Sequence, residues 1–159
     1  MTFSMHVPTA IKQRIYKGDY INPSLLLNGA VELSDYAKSS SILVLNNSRL
    51  ENRPTECKDD IGTIEQWTDA FIIYMDVYLS VHPHKTHELL HNSYTIRECA
   101  TNQKGIFWKQ YDQQFRTRQA VMLTSWSPIN QDLWLRCMCF RGPEFVQQHR
   151  QKQPCFKFQ

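Results

Sequence analysis

Glycine is scarce in this chain, with five among 159 residues. So low a count leaves little material for phosphate-cradling loops, for a dinucleotide-binding fingerprint, or for the many tight turns of a β-rich fold. No apolar run approaches the roughly 18 residues that a membrane-spanning helix needs. The opening residues, Met1-Thr-Phe-Ser-Met-His-Val-Pro8, have neither the basic nor the apolar region of a secretory signal. The chain is therefore expected to be intracellular, cytoplasmic or nuclear, with reduced thiols and no membrane partner. Its five cysteines, an odd number, also disfavour a closed disulfide framework. Net charge is nearly absent as well. The formal excess is +3, and all of it follows Phe140, where Arg141, Arg150, Lys152 and Lys157 stand against a single acid, Glu144. A neutral body with a basic end suits a protein that touches nucleic acid or an anionic surface. A solvated terminus would have the same composition.

What remains is a globular composition, 42% hydrophobic and 21% charged, arranged in zones. Residues 1–28 read as a short helix pair. In the first helix, Ala10, Ile11, Ile15 and Tyr16 are apolar at helical spacing after Pro8, and Gly18 suits the left-handed position that ends it. In the second, Asn22 is placed as N-cap, Pro23 occupies the first turn, and Leu25-Leu26-Leu27 face a core. Residues 29–61 read as a linker, mostly irregular, with Ile42-Leu-Val-Leu45 as a strand or docked segment.

Residues 62–140 hold the aromatic-rich helical domain. Thr63 is an N-cap with Gln66 placed for a capping box. Trp67, Phe71, Tyr74 and Tyr78 form one helical stripe, widened by Ile64, Val77 and Val81, and His82-Pro83 ends it. A second helix covers about 85–102, with Leu89, Leu90, Tyr94, Ile96 and Cys99 as its apolar side. A third covers 107–122, with Phe107, Tyr111, Phe115 and Arg118 at stacking positions and Trp108 beside them. A fourth starts with Ser127 as N-cap and Pro128, turns Trp134, Leu135 and Met138 inward, and stops at Gly142-Pro143. The expected fold is thus all-α: a small bundle of about four helices, preceded by the helix pair and the linker. Residues 141–159 form a basic tail.

Chemistry-bearing patterns are few. His87-Glu88-Leu89-Leu90-His91 satisfies the His-Glu-x-x-His string, in which two imidazoles one helical turn apart hold zinc and the glutamate acts as base. No third ligand follows at the usual spacing, and the helix shares its length with a core face, so His87 and His91 are weak metal candidates. The cysteines Cys57 and Cys99 have no histidine or acid at a recognisable spacing. Cys137-x-Cys139 is too closely set for a zinc knuckle. No catalytic residue and no cofactor is expected. The four tryptophans, Trp67, Trp108, Trp126 and Trp134, read as core; only Trp108-Lys109, near Arg116 and Arg118, has the basic neighbours of a base-stacking platform.

Taken together, Trp67-x-x-Ala70-Phe71…Tyr74…Tyr78, His82-Pro83, Leu89-Leu90…Tyr94-x-Ile96, Trp108-x-x-Tyr111-Asp112-x-x-Phe115-Arg116 and Trp126…Leu133-Trp134 carry a resemblance. The pattern is similar to the Gag-like protein that precedes the tyrosine recombinase in DIRS-type retroelements. Val7-Pro8…Ile11-Lys12…Ile15-Tyr16-Lys17-Gly18-Asp19-Tyr20-Ile21…Leu25-Leu26-Leu27 resembles that family's opening segment. The resemblance implies a helical, non-enzymatic particle protein associated with RNA or single-stranded DNA. Its phosphate contacts would be Lys109, Arg116, Arg118, Arg141, Arg150, Lys152 and Lys157. It also implies a zinc knuckle begun at Cys155, whose further ligands do not follow, as in a truncated or domesticated copy. Two other readings of the same residues stay open: a helical interaction module without nucleic acid, self-associating or binding a helix of a partner, or a zinc-dependent hydrolase using His87, Glu88 and His91.

Overall fold

The stripe Trp67, Phe71, Tyr74 and Tyr78 becomes the inner face of the longest helix, α2 (Ile64–Val81), with all four side chains buried. The computed structural model describes residues 3–29, 33–34, 37, 42–46, 49–53, 60–103 and 105–139. Thr63 caps α2 by accepting the Gln66 N–H at 3.2 Å, and Gln66 Oε1 accepts the Gly62 N–H at 3.0 Å. This is the reciprocal capping the sequence promised, reaching one residue further out. His82 ends the helix because Pro83 disfavours another helical residue before it. Pro83–Lys85 forms a single 3-10 turn that leads into α3 (Thr86–Asn102), and α4 (Phe107–Met122) and α5 (Gln131–Cys139) follow.

The N-terminal residues pack onto α2. Helix α1 (Thr9–Lys17) ends at Gly18, whose φ of 80° is the left-handed conformation expected there. Pro23–Leu27 forms a 3-10 turn rather than an α-helix, with Asn22 accepting the Ser24 N–H at 3.1 Å. Ile11, Ile15, Leu25 and Leu26 join Trp67, Phe71, Leu89, Ile96, Tyr111, Phe115 and Leu133 in one core. Helices α1 and α3 and the 23–27 turn pack on α2, α4 packs on α3, and α5 on α4. The fold is a small all-α domain. In the zone read as linker, β1 (Ile42–Asn46) and β2 (Arg49–Arg53) pair as an antiparallel hairpin, with Val44 opposite Glu51.

The core is chiefly aromatic. Trp67 stacks on Phe71 at 4.8 Å between ring centroids, and Trp126 sits within about 6.4 Å of Phe71, Tyr74, Tyr78 and Phe115. Truncating a ring as buried as Phe71 to alanine typically costs about 3–5 kcal/mol.

Three expectations need correction. Leu27, Val81, Leu90 and Tyr94 are exposed rather than inward, and on α3 Asn92 and Thr95 take buried positions instead. On α4 the inward face runs through Trp108, Tyr111, Asp112, Phe115, Arg116 and Gln119, so Arg118 is not part of the stack. Helix α5 begins at Gln131, not at Ser127-Pro128, because Asn130 Oδ1 accepts the Leu133 N–H at 3.1 Å and supplies the cap. Leu133 and Cys137 then face the core while Leu135 points outward. The expected stop at Gly142-Pro143 and the side chain of Met138 lie outside the described residues.

Candidate functional site

The basic residues expected to grip phosphates fare differently. Arg116 is only 6% exposed and cannot reach a nucleic acid. Its Nε and Nη2 donate to Asp112 Oδ2 at 3.1 and 2.8 Å, Nη1 donates to the Ile21 carbonyl at 3.4 Å, and the guanidinium lies over the Tyr20 ring. Trp67 Nε1–H donates to the same Asp112 oxygen at 2.9 Å. Arg116 therefore ties α4 to α2 and to the N-terminal segment, and its assignment as a phosphate contact is overturned by burial. Asp112 Oδ1 is sealed from solvent and has no partner among the described residues. Lys109 is ion-paired with Asp60, and Arg118, 41% exposed, lies 3.6 Å from Asp132. Trp108, buried beneath this surface, offers no stacking platform. Arg141, Arg150, Lys152, Lys157, Cys155 and Cys57 lie outside the described residues.

The His-Glu-x-x-His string lies on the first turns of α3, with His87 and His91 exposed. Glu88, the base of the zinc reading, is occupied elsewhere. Its Oε1 accepts from Lys85 Nζ at 2.9 Å, and its Oε2 accepts from Ser125 Oγ and the Trp126 N–H, both at 2.9 Å. The Lys85 bond and the Trp126 N–H hold its carboxyl below the usual carboxylate range. Glu88 thereby clamps the α4–α5 connection onto α3. Among the described residues, no three His, Cys, Asp or Glu side chains are grouped to hold a metal ion. Cys99 and Cys137 are buried thiols whose pKa values are pushed up by that burial, which makes them poor nucleophiles.

Known proteins offer no shortcut. The chain matches no family model, no curated protein and no solved structure. Beyond these side chains, the described residues offer surfaces and clefts.

Two such features escaped the sequence reading. One is a groove of about 270 Å³ between α3 and the α5 region, lined by His91, Tyr94, Glu98, Ile129 and Trp134. Tyr94 is 65% exposed beside it, and Leu90, one turn earlier on α3, is exposed as well. The only signal in the sequence was that Leu89-Leu90 and Tyr94 together give α3 more apolar residues than one buried stripe requires. The other is a second cleft, formed where α1, α2 and the α4–α5 connection meet, which no short motif could announce. No helix among the described residues is long and apolar enough to cross a membrane.

Proposed function

We propose that this chain is a non-enzymatic, Gag-like assembly protein whose helical domain self-associates and whose basic end holds RNA or single-stranded DNA. The observation that supports it most is a contrast in how side chains are used. Glu88, Asp112 and Arg116, the groups best suited to chemistry, are spent on holding helices and connections together. Tyr94 and Ile129, which would stabilise the fold if buried, stand in solvent around one groove, and Leu90 is exposed one turn from Tyr94 on the same helix. Exposed apolar side chains clustered on one face mark contact surfaces more often than catalytic ones.

Nucleic acid is assigned to Arg141, Arg150, Lys152 and Lys157 on their charge, because Lys109 and Arg118 are already paired and Arg116 is buried. Light scattering on the full chain should show a concentration-dependent oligomer that Tyr94→Lys disrupts. A labelled single-stranded RNA should bind at low salt, with a log–log salt slope of about −3 if each of those four cations neutralises one phosphate. A monomer at all concentrations sinks the assembly reading. Oligomers without RNA affinity favour the second reading, a protein-interaction module, for which the pairing of Lys109 and Arg118 already speaks.

A further inference from the structure

The second cleft is small, about 220 Å³, below the size of a drug-sized pocket but roomy enough for a single substituted ring. Separate stretches of chain meet around it: Gly18 after α1, Tyr74 and Tyr78 on α2, Lys85 in the 3-10 turn, and Leu123 and Trp126 in the α4–α5 connection. Tyr74, Tyr78 and Trp126 are each more than nine-tenths buried. Yet neither phenol O–H, nor the Trp126 indole N–H, has a hydrogen-bond partner among the described residues. None of these three atoms is sealed from solvent, as Asp112 Oδ1 is. All three side chains belong to residues that line the cleft. Three donors without a protein acceptor around a single cleft point to an acceptor that the protein does not itself provide.

The charge of the lining narrows that acceptor. Lys85 uses one N–H on Glu88, at 2.9 Å, and keeps two. No residue lining the cleft carries a carboxylate. Burial pushes the Tyr74 phenol well above its ordinary pKa, so it stays a donor. A cation is a poor match, because the rings pack on one another at 5.7–6.3 Å between centroids and leave no cage among them. The outer wall is apolar and strained. Leu123, largely exposed, adopts φ 47°, the single positive value for a non-glycine residue among those described. A Cβ at Gly18 would meet Leu123 Cδ2 at 3.3 Å, a close approach that glycine avoids.

We propose that this cleft binds a small organic anion, a carboxylate or phosphate headgroup on an aromatic body. The Tyr74 and Tyr78 hydroxyls, the Trp126 indole N–H and the Lys85 ammonium donate to the headgroup, and the ring of the ligand lies against Leu123.

The test uses the full chain, titrated with benzoate, phenyl phosphate and the uncharged benzyl alcohol, and followed through the Trp126 indole N–H resonance. Saturable shifts with one or both anions and none with benzyl alcohol are expected, and the stronger of the two identifies the headgroup. Tyr74→Phe should weaken anion binding by roughly tenfold to a hundredfold, the effect of losing a hydrogen bond to a charged acceptor. The melting temperature of that variant should hold or rise, since an unpaired donor is removed. Should Tyr74→Phe fail to fold, Lys85→Gln is expected to show the same loss of affinity. No saturable shift at millimolar benzoate or phenyl phosphate, equal binding of benzyl alcohol, or unchanged affinity in these variants overturns the proposal.

Discussion

Asp112 and Glu88 are both carboxylates that accept three hydrogen bonds, one in the core between α2 and α4, the other at the surface between α3 and the α4–α5 connection. Asp112 takes all three on one oxygen, from Trp67 and Arg116, with its side chain 4% exposed. Glu88 takes one bond on Oε1 and two on Oε2, with its side chain 26% exposed. The bonding is similar and the energetics are not. Water competes for every bond Glu88 makes, whereas Asp112 and Arg116 have given up water and depend on each other. Solvent decides which of the two carboxylates the fold requires.

Breaking the inner one should have the largest effect. Asp112→Ala leaves the Arg116 charge buried without its partner and should cost about 3–5 kcal/mol in urea unfolding. The double variant Asp112→Leu with Arg116→Met should regain more than half of that, because an apolar pair leaves no buried charge behind. A double variant as unstable as Asp112→Ala would show that the loss lies in the bonds themselves. At the surface, Glu88→Gln should cost less than about 1 kcal/mol at neutral pH, since the lost pairing is solvent-screened. Its pH dependence carries a definite sign. The Glu88 carboxyl is held below its ordinary 4.5, so its contribution is complete above that value and is lost as the pH falls through the lowered one. Acid unfolding curves of wild type and Glu88→Gln should therefore converge below about pH 4.5. The smallest effect is expected for Arg118→Ala, which removes the half-exposed contact to Asp132 and should stay within about 0.5 kcal/mol.

Much of the helical architecture was legible because helical period and capping chemistry are local. Trp67, Phe71, Tyr74 and Tyr78 announce α2 by spacing alone, and Thr63, Gly18 and Asn22 announce ends through side-chain and backbone chemistry that needs no tertiary context. The charge of Arg116 points to an exposed side chain, and its pairing inside the core overrules that expectation. The warning sign was present: Asp112 and Arg116 are four apart, opposite in charge, and in phase with Tyr111 and Phe115. The start of α5 slipped by several residues because Ser127-Pro128 and Asn130 are both sound caps, and packing alone chooses between them. Leu90 and Tyr94 were expected inside because apolar residues were counted without knowing how wide a face α2 and α4 would cover. The aromatic cleft was invisible for a different reason: its walls come from residues as far apart as Gly18 and Trp126.

The aromatic stripe of α2 also has an optical consequence. Along one helix, Trp67, Phe71, Tyr74, Tyr78 and His82 follow one another at centroid spacings of 4.8, 6.0, 5.7 and 4.5 Å, with Trp126 beside the middle of the row. Excitation absorbed by Tyr74 or Tyr78 has an indole within immediate transfer distance. In the native chain these two tyrosines should be nearly dark, their light emerging as tryptophan fluorescence, and their own emission should return only when the row comes apart. The protein thus carries an intrinsic lamp for the integrity of its core, readable without any label.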